Sequence, residues 1–121
     1  MTDYLTVAEV LAIHEDQVER YGGAHGVRDY GALEAALFRP QTGYYADVIA
    51  EAAALWESLS QNHPFIDGNK RVAFAATYTF LAINGAGLKA DPEETFVFIS
   101  GLFKAQTFDF EHLEAWLREH V

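Results

Sequence analysis

The sequence predicts an all-α domain of about six helices around one central buried helix. Three observations lead there. Apolar residues recur at helical spacing along most of the chain. Threonine or aspartate stands ahead of most of these runs, where a side-chain oxygen can cap a helix. Glycine or proline stands where the runs stop.

Thr6-Val7-Ala8-Glu9 reads as a capping box, in which hydroxyl and carboxylate satisfy free N–H groups at a helix start. Val7, Val10, Leu11, His14, Val18 and Tyr21 then share one inward face. His14 on this stripe reads as a packed histidine. Gly22-Gly23 stops the helix, because glycine tolerates the left-handed backbone of a helix end. A second helix starts at Asp29 and ends before Pro40. The stretch from Gln41 to Tyr45 reads as a loop or a small hairpin. Asp47 caps a third helix, with Val48, Ala52, Leu55, Trp56 and Leu59 inward.

After a turn from His63 to Arg71, the chain from Asn69 to Asn84 is helical and apolar almost all round. Such a helix belongs at the centre. Gly85 and Gly87 close it. Asp91-Pro92-Glu93-Glu94 starts another helix, and this cap makes Phe96 to Ile99 helix rather than strand. Asp109 begins the last helix, with Phe110, Leu113, Trp116 and Leu117 inward.

A chain of 121 residues is the size of one domain, spanning 1–121. It has no cysteine, which excludes disulfides and thiolate zinc sites and makes a reducing cytoplasm the expected compartment. The N-terminus lacks the basic-then-apolar pattern of a signal peptide. The longest apolar stretch, Val72 to Ile83, is too short for a bilayer span, so no membrane partner is expected. A net charge of −10 repels a nucleic acid backbone, so no direct nucleic acid contact is expected either. A local basic cluster can still bind phosphates.

Such a cluster lies in His63-Pro64-Phe65-Ile66-Asp67-Gly68-Asn69-Lys70-Arg71, at the start of the buried helix. A helix N-terminus presents free N–H groups and partial positive charge to anions. Gly68 lets the backbone approach a phosphate. Lys70 and Arg71 add a point charge and a two-pronged donor. Asp67 is a hard oxygen ligand suited to Mg²⁺ between phosphates. His63 suits proton transfer near neutral pH. Phe65 points into the core and pins the turn. These groups suit transfer of a phosphate-containing group to a hydroxyl without an enzyme nucleophile. His25, His112 and His120 show no metal spacing.

The string HPFIDGNKR closely resembles the signature of the Fic/Doc family, HxFx(D/E)GN(G/K)R, at every constrained place. Arg39-Pro40-Gln41 is similar to the corresponding part of Doc proteins, so the resemblance covers most of the chain. It implies the Fic fold, His63 as general base and Asp67 as Mg²⁺ ligand. It also implies Gly68, Asn69 and Arg71 as the anion-binding turn, and the Gln41-to-Tyr45 loop as a flap that docks the target, by strand addition. Adenylylating Fic proteins usually carry glycine in place of Lys70 and a second arginine in place of Phe74. Lys70 and Phe74 therefore resemble the Doc branch, the "death on curing" toxins. That branch implies transfer of the terminal phosphate of ATP, or another nucleoside triphosphate, to a Ser/Thr hydroxyl of elongation factor Tu, which blocks translation. The alternatives are AMP transfer and a non-catalytic, antitoxin-binding co-regulator. Some Fic proteins carry a self-inhibitory helix, (S/T)xxxE(G/N). Its nearest match, Thr107 to Glu111, is followed by His112. Inhibition is then expected from a separate antitoxin, whose C-terminal segment folds onto toxins of this type.

Overall fold

Helices form where the caps predict them. The computed structural model describes residues 1–121. It holds α1 (Val7–Tyr21), α2 (Tyr30–Phe38), a 3₁₀ turn (Arg39–Thr42), α3 (Val48–Gln61), α4 (Asn69–Ile83), α5 (Pro92–Lys104) and α6 (Phe110–His120). Thr6, Asp29, Asp47, Asp91 and Asp109 each accept a backbone N–H from the first turn of the helix they precede. Each such cap stabilises by about 1 kcal/mol. The start of α4 is the exception: Gly68 precedes it with φ +76 and no side chain caps it.

The core gathers around α3 and α4. Helix α3 packs against α2, α4 and α6, and α4 packs against α1 and α3. Ala50 to Trp56, Ser58, Leu59 and Ser60 are buried, so α3 is enclosed on nearly every side. Trp56 meets the rings of Phe74, Phe98, Phe108 and Trp116. Helix α4 buries Val72, Ala73, Ala76, Thr77, Phe80 and Leu81. Its remaining apolar side, including Phe74, Ala75 and Tyr78, lines a groove of about 1380 Å³ between α4, α5 and the end of α1. The all-round apolarity of this helix thus serves two surfaces, core and groove.

Helix α5 stands off. No Cα of α5 comes within 8 Å of a Cα in another helix. Large side chains bridge the gap: Phe98 stacks on Trp116 at 4.7 Å and Phe103 on Phe108 at 4.4 Å. No helix is long and apolar enough to cross a membrane.

Two local expectations change. Tyr21 is 65% exposed rather than inward, because α1 ends there and its ring turns toward the groove. Of the two readings of Gln41–Tyr45, the loop holds and the hairpin does not. A 3₁₀ turn from Arg39, with Pro40 at its start, continues α2, and Gly43 (φ +82) ends it. Arg39 then ties the segment down, donating from Nε to the Tyr45 hydroxyl (2.7 Å) and from Nη1 to Glu57 (2.7 Å) and Ser58 (2.8 Å) on α3. Tyr45 thus reaches α3 through Arg39, and the segment has no facing strand. The backbone bridge the chain does contain joins Val27 to Phe65.

Candidate active site

The segment between α3 and α4 takes its shape from two rings and an amide. Phe65 is 1% exposed and its ring lies on that of His14, 3.9 Å between centroids and 8° apart. Asn69 clasps the backbone of Phe65 from both sides. Its Oδ1 accepts the Phe65 N–H (3.0 Å) and its Nδ2 donates to the Phe65 carbonyl (3.0 Å). The Asn69 side chain therefore shapes the turn, while its backbone N–H stays at the open end of α4. His14 Nε2 lies 2.9 Å from the Asp67 carbonyl oxygen, so this nitrogen carries the proton.

The α1–α2 connection runs alongside as a second strand of contacts. Ile66 N–H donates to the Gly26 carbonyl (3.1 Å), and the N–H groups of Arg28 and Asp29 both donate to the Pro64 carbonyl (2.8 and 3.1 Å). The Arg28 guanidinium grips the next stretch, from Nε to the His63 carbonyl (2.7 Å) and from Nη2 to the Asn62 carbonyl (3.0 Å). That grip falls on a strained residue. His63 has φ +48, a left-handed conformation that costs a non-glycine residue about 1–3 kcal/mol. The strain persists because both neighbouring carbonyls are held. The His63 side chain itself is exposed.

The charged groups converge at Gly68. Asp67 Oδ2 accepts the Ala24 N–H (3.2 Å) and Oδ1 accepts the Gly68 N–H (2.8 Å). These two donors, with the nearby Arg71 charge, hold the Asp67 pKa below the ordinary carboxylate value, so it is ionised at neutral pH. Arg71 donates to the carbonyls of Tyr21 (3.3 Å) and Gly22 (3.0 Å), with its guanidinium 5.7 Å from the centre of the Tyr21 ring. A Cβ on Gly68 would make ordinary contacts, 3.5 Å from Arg71 Nη2 and 3.8 Å from His14 Nε2, so it is the φ of +76 that favours glycine here. Lys70 diverges from the group: its Nζ lies 4.0 Å from the centre of the Phe103 ring, in the α4–α5 groove. Phe74 packs on Trp56 at 5.4 Å, so the position one turn beyond Arg71 offers no charge.

These residues fit a magnesium–nucleotide pair. Asp67 is an exposed, ionised oxygen ligand beside free helix N–H groups. The chain has no cluster of three or more His, Asp or Glu ligands, so an ion here would draw most of its ligands from phosphate and water, as Mg²⁺ prefers. Sequence reasoning misses His14, Ala24 and Arg28 as supports of this turn. The available signal was a second and a third glycine, Gly23 and Gly26, where one suffices to stop a helix.

The chain is similar to known proteins over most of its length. The Fic/DOC family model matches residues 4–81. Toxin Doc of Mycolicibacterium smegmatis (strain ATCC 700084 / mc(2)155) is 49% identical over 96 residues, which cover 75% of this chain and 72% of that protein. Protein kinase doc of Escherichia phage P1 is 31% identical over 94 residues, 74% of this chain and 75% of that protein.

Proposed function

This chain belongs to the Fic/DOC family, and on that premise we propose that it is a Doc-like toxin that phosphorylates a hydroxyl of a target protein. One observation carries the reading. The start of α4 is the only α-helix start without a side-chain cap, and Asp67 and Arg71 flank it across Gly68. An uncapped helix end between a cation and a metal-ready carboxylate is a place for phosphates.

In this reading the N–H groups at the start of α4 and Arg71 hold the phosphates of ATP and balance charge gathering on them during in-line transfer. A magnesium ion held by Asp67 would neutralise charge between two phosphates. His63 takes the proton from the acceptor hydroxyl as its oxygen bonds to the terminal phosphorus and the bond to the nucleoside diphosphate breaks. The left-handed His63 backbone, fixed by Arg28, aims the imidazole. Phe74 supports phosphoryl over AMP transfer, because an apolar side chain offers nothing to a phosphate further along the helix. The printed names of the relatives support the toxin and kinase parts. The family resemblance suggests elongation factor Tu as target, a block of translation as the outcome, and the cytoplasm as the place of action.

A toxin of this kind needs a protein antitoxin, and the α4–α5 groove suits one. Phe74, Ile99 and Phe103 give the groove an apolar floor. Lys70, Arg71 and Lys104 give it positive charge, although the whole chain carries −10. An amphipathic segment with acidic residues beside its apolar face is the matching occupant.

The test incubates the protein with Mg²⁺, cell extract and ATP labelled at the γ- or the α-phosphate, beside a His63→Ala control. Label passing to a protein from γ-labelled ATP alone supports phosphorylation. Label from α-labelled ATP alone means AMP transfer instead. No label from either, with wild type equal to control, means a non-catalytic co-regulator.

A further inference from the structure

Asp67 and Arg71 are held by a segment that the sequence offers only as a helix stop. Gly22 fills that role alone. Its φ is +83, its N–H donates to the Val18 carbonyl at 2.8 Å, and a Cβ on it would meet nothing within 4 Å. Gly23 is different. Its φ is +116, and a Cβ on it would lie 2.8 Å from Asp67 Oδ2, 3.3 Å from Asp67 Cγ and 3.4 Å from Arg71 Nη2. The first distance is inside van der Waals contact, so the carboxylate would have to move.

We infer that Gly23 is a positioning residue of the nucleotide site, whose bare Cα lets the turn from Tyr21 to Ala24 close onto both charged groups at once. The inference rests on the phosphate-transfer reading above. Its physics has two halves. The C-terminal carbonyls of α1 carry the negative end of the helix dipole, and two of them hold the Arg71 guanidinium beside Gly68. The Ala24 N–H fixes one Asp67 oxygen while the Gly68 N–H fixes the other, so the carboxylate keeps one rotamer with its remaining lone pairs outward. A methyl at position 23 drives the two halves apart.

The test pairs Gly23→Ala with Gly85→Ala. Gly85 also has positive φ (+75), at the far end of α4, but a Cβ there meets nothing within 4 Å. Both positions have positive φ, with the heavier backbone strain at Gly23, and only Gly23→Ala collides with the site. Calorimetric titration with Mg·ATP is expected to show a loss of about tenfold or more in Gly23→Ala, the worth of one charge-assisted hydrogen bond, and almost none in Gly85→Ala. Amide exchange of the nucleotide-free protein gives a second readout: Ala24 exchanges faster in Gly23→Ala and at the wild-type rate in Gly85→Ala. Gly23→Ala with wild-type exchange at Ala24 and wild-type affinity overturns the inference. If the wild type binds no Mg·ATP, the phosphate-transfer reading falls, and the inference with it. Should Gly23→Ala fold poorly, Gly23→Ala/Asp67→Ala removes the collision. Its melting temperature is expected to return toward that of Gly85→Ala, and no recovery counts against the inference.

Discussion

At its N-terminus α4 is held by hydrogen bonds to the α1–α2 connection, whereas along its side it faces α5 across a groove, and α5 itself is attached to α3 and α6 through aromatic rings. The two attachments differ in kind. Hydrogen bonds to fixed carbonyls set both distance and direction, so the turn from His63 to Gly68 keeps one geometry. Ring stacking across a gap of more than 8 Å between Cα atoms tolerates sliding and repacking. One helix therefore has a rigid end, where the proposed chemistry would take place, and an adaptable flank, where the proposed protein partner would dock.

Removing the proposed base should break the rigid end most severely. His63→Ala is expected to lower phosphoryl transfer by about 10²–10⁴, read as label incorporated per minute. Because the side chain is exposed, its melting temperature should stay near that of the wild type. The flank is broken next. Phe96 is 72% exposed at the groove, and Phe96→Asp is expected to weaken antitoxin binding by about thirtyfold in a calorimetric titration. A smaller effect is expected where the rigid end is merely loosened. Arg28→Ala deletes the grip on the His63 and Asn62 carbonyls, and kcat should fall by about tenfold with little change in KM for ATP. A KM change alone would place Arg28 outside the support of the base.

The smallest effect separates the two regions by pH. His120 ties α6 to the start of α5. Its Nδ1 lies 2.7 Å from the Trp116 carbonyl, its Nε2 lies 3.0 Å from Glu94, and its own carbonyl accepts the Lys89 N–H (2.7 Å). The Trp116 carbonyl first, then Glu94, raises its pKa above the ordinary 6.5. The folded state thus favours the charged form. That stabilisation is complete below about 6.5 and is lost as pH rises through the raised value. Thermal melts at about pH 6 and about pH 8 should show the lower pH favoured by a small margin, and His120→Gln should remove that margin.

The local part of this architecture is legible in the sequence. Each cap acts within three residues, so Thr6, Asp29, Asp47, Asp91 and Asp109 announce their helices. The position of the HPFIDGNKR turn at the start of α4 follows from its proline, its glycine and the apolar run behind it. What stays hidden is long-range. Nothing in Gly26 or Arg28 says that they meet Ile66 and His63, about forty residues away, because a backbone pairing of two short loops leaves no periodic pattern. Tyr21 fails for the opposite reason: the helical period carries it inward, but the helix ends before the core can cover it. The stand-off of α5 is equally silent, since Phe98 and Phe103 look like ordinary core residues until the gap they span is seen.

The most direct measurement is a map of backbone amide resonances as Mg·ATP is added to the isotope-labelled protein. If the start of α4 holds the nucleotide, the largest shifts fall at Ala24 and from Gly68 to Arg71, with α5 little changed. Shifts centred on Phe96 to Phe103, with the start of α4 unmoved, would contradict it, because the nucleotide would then occupy the flank assigned to the protein partner.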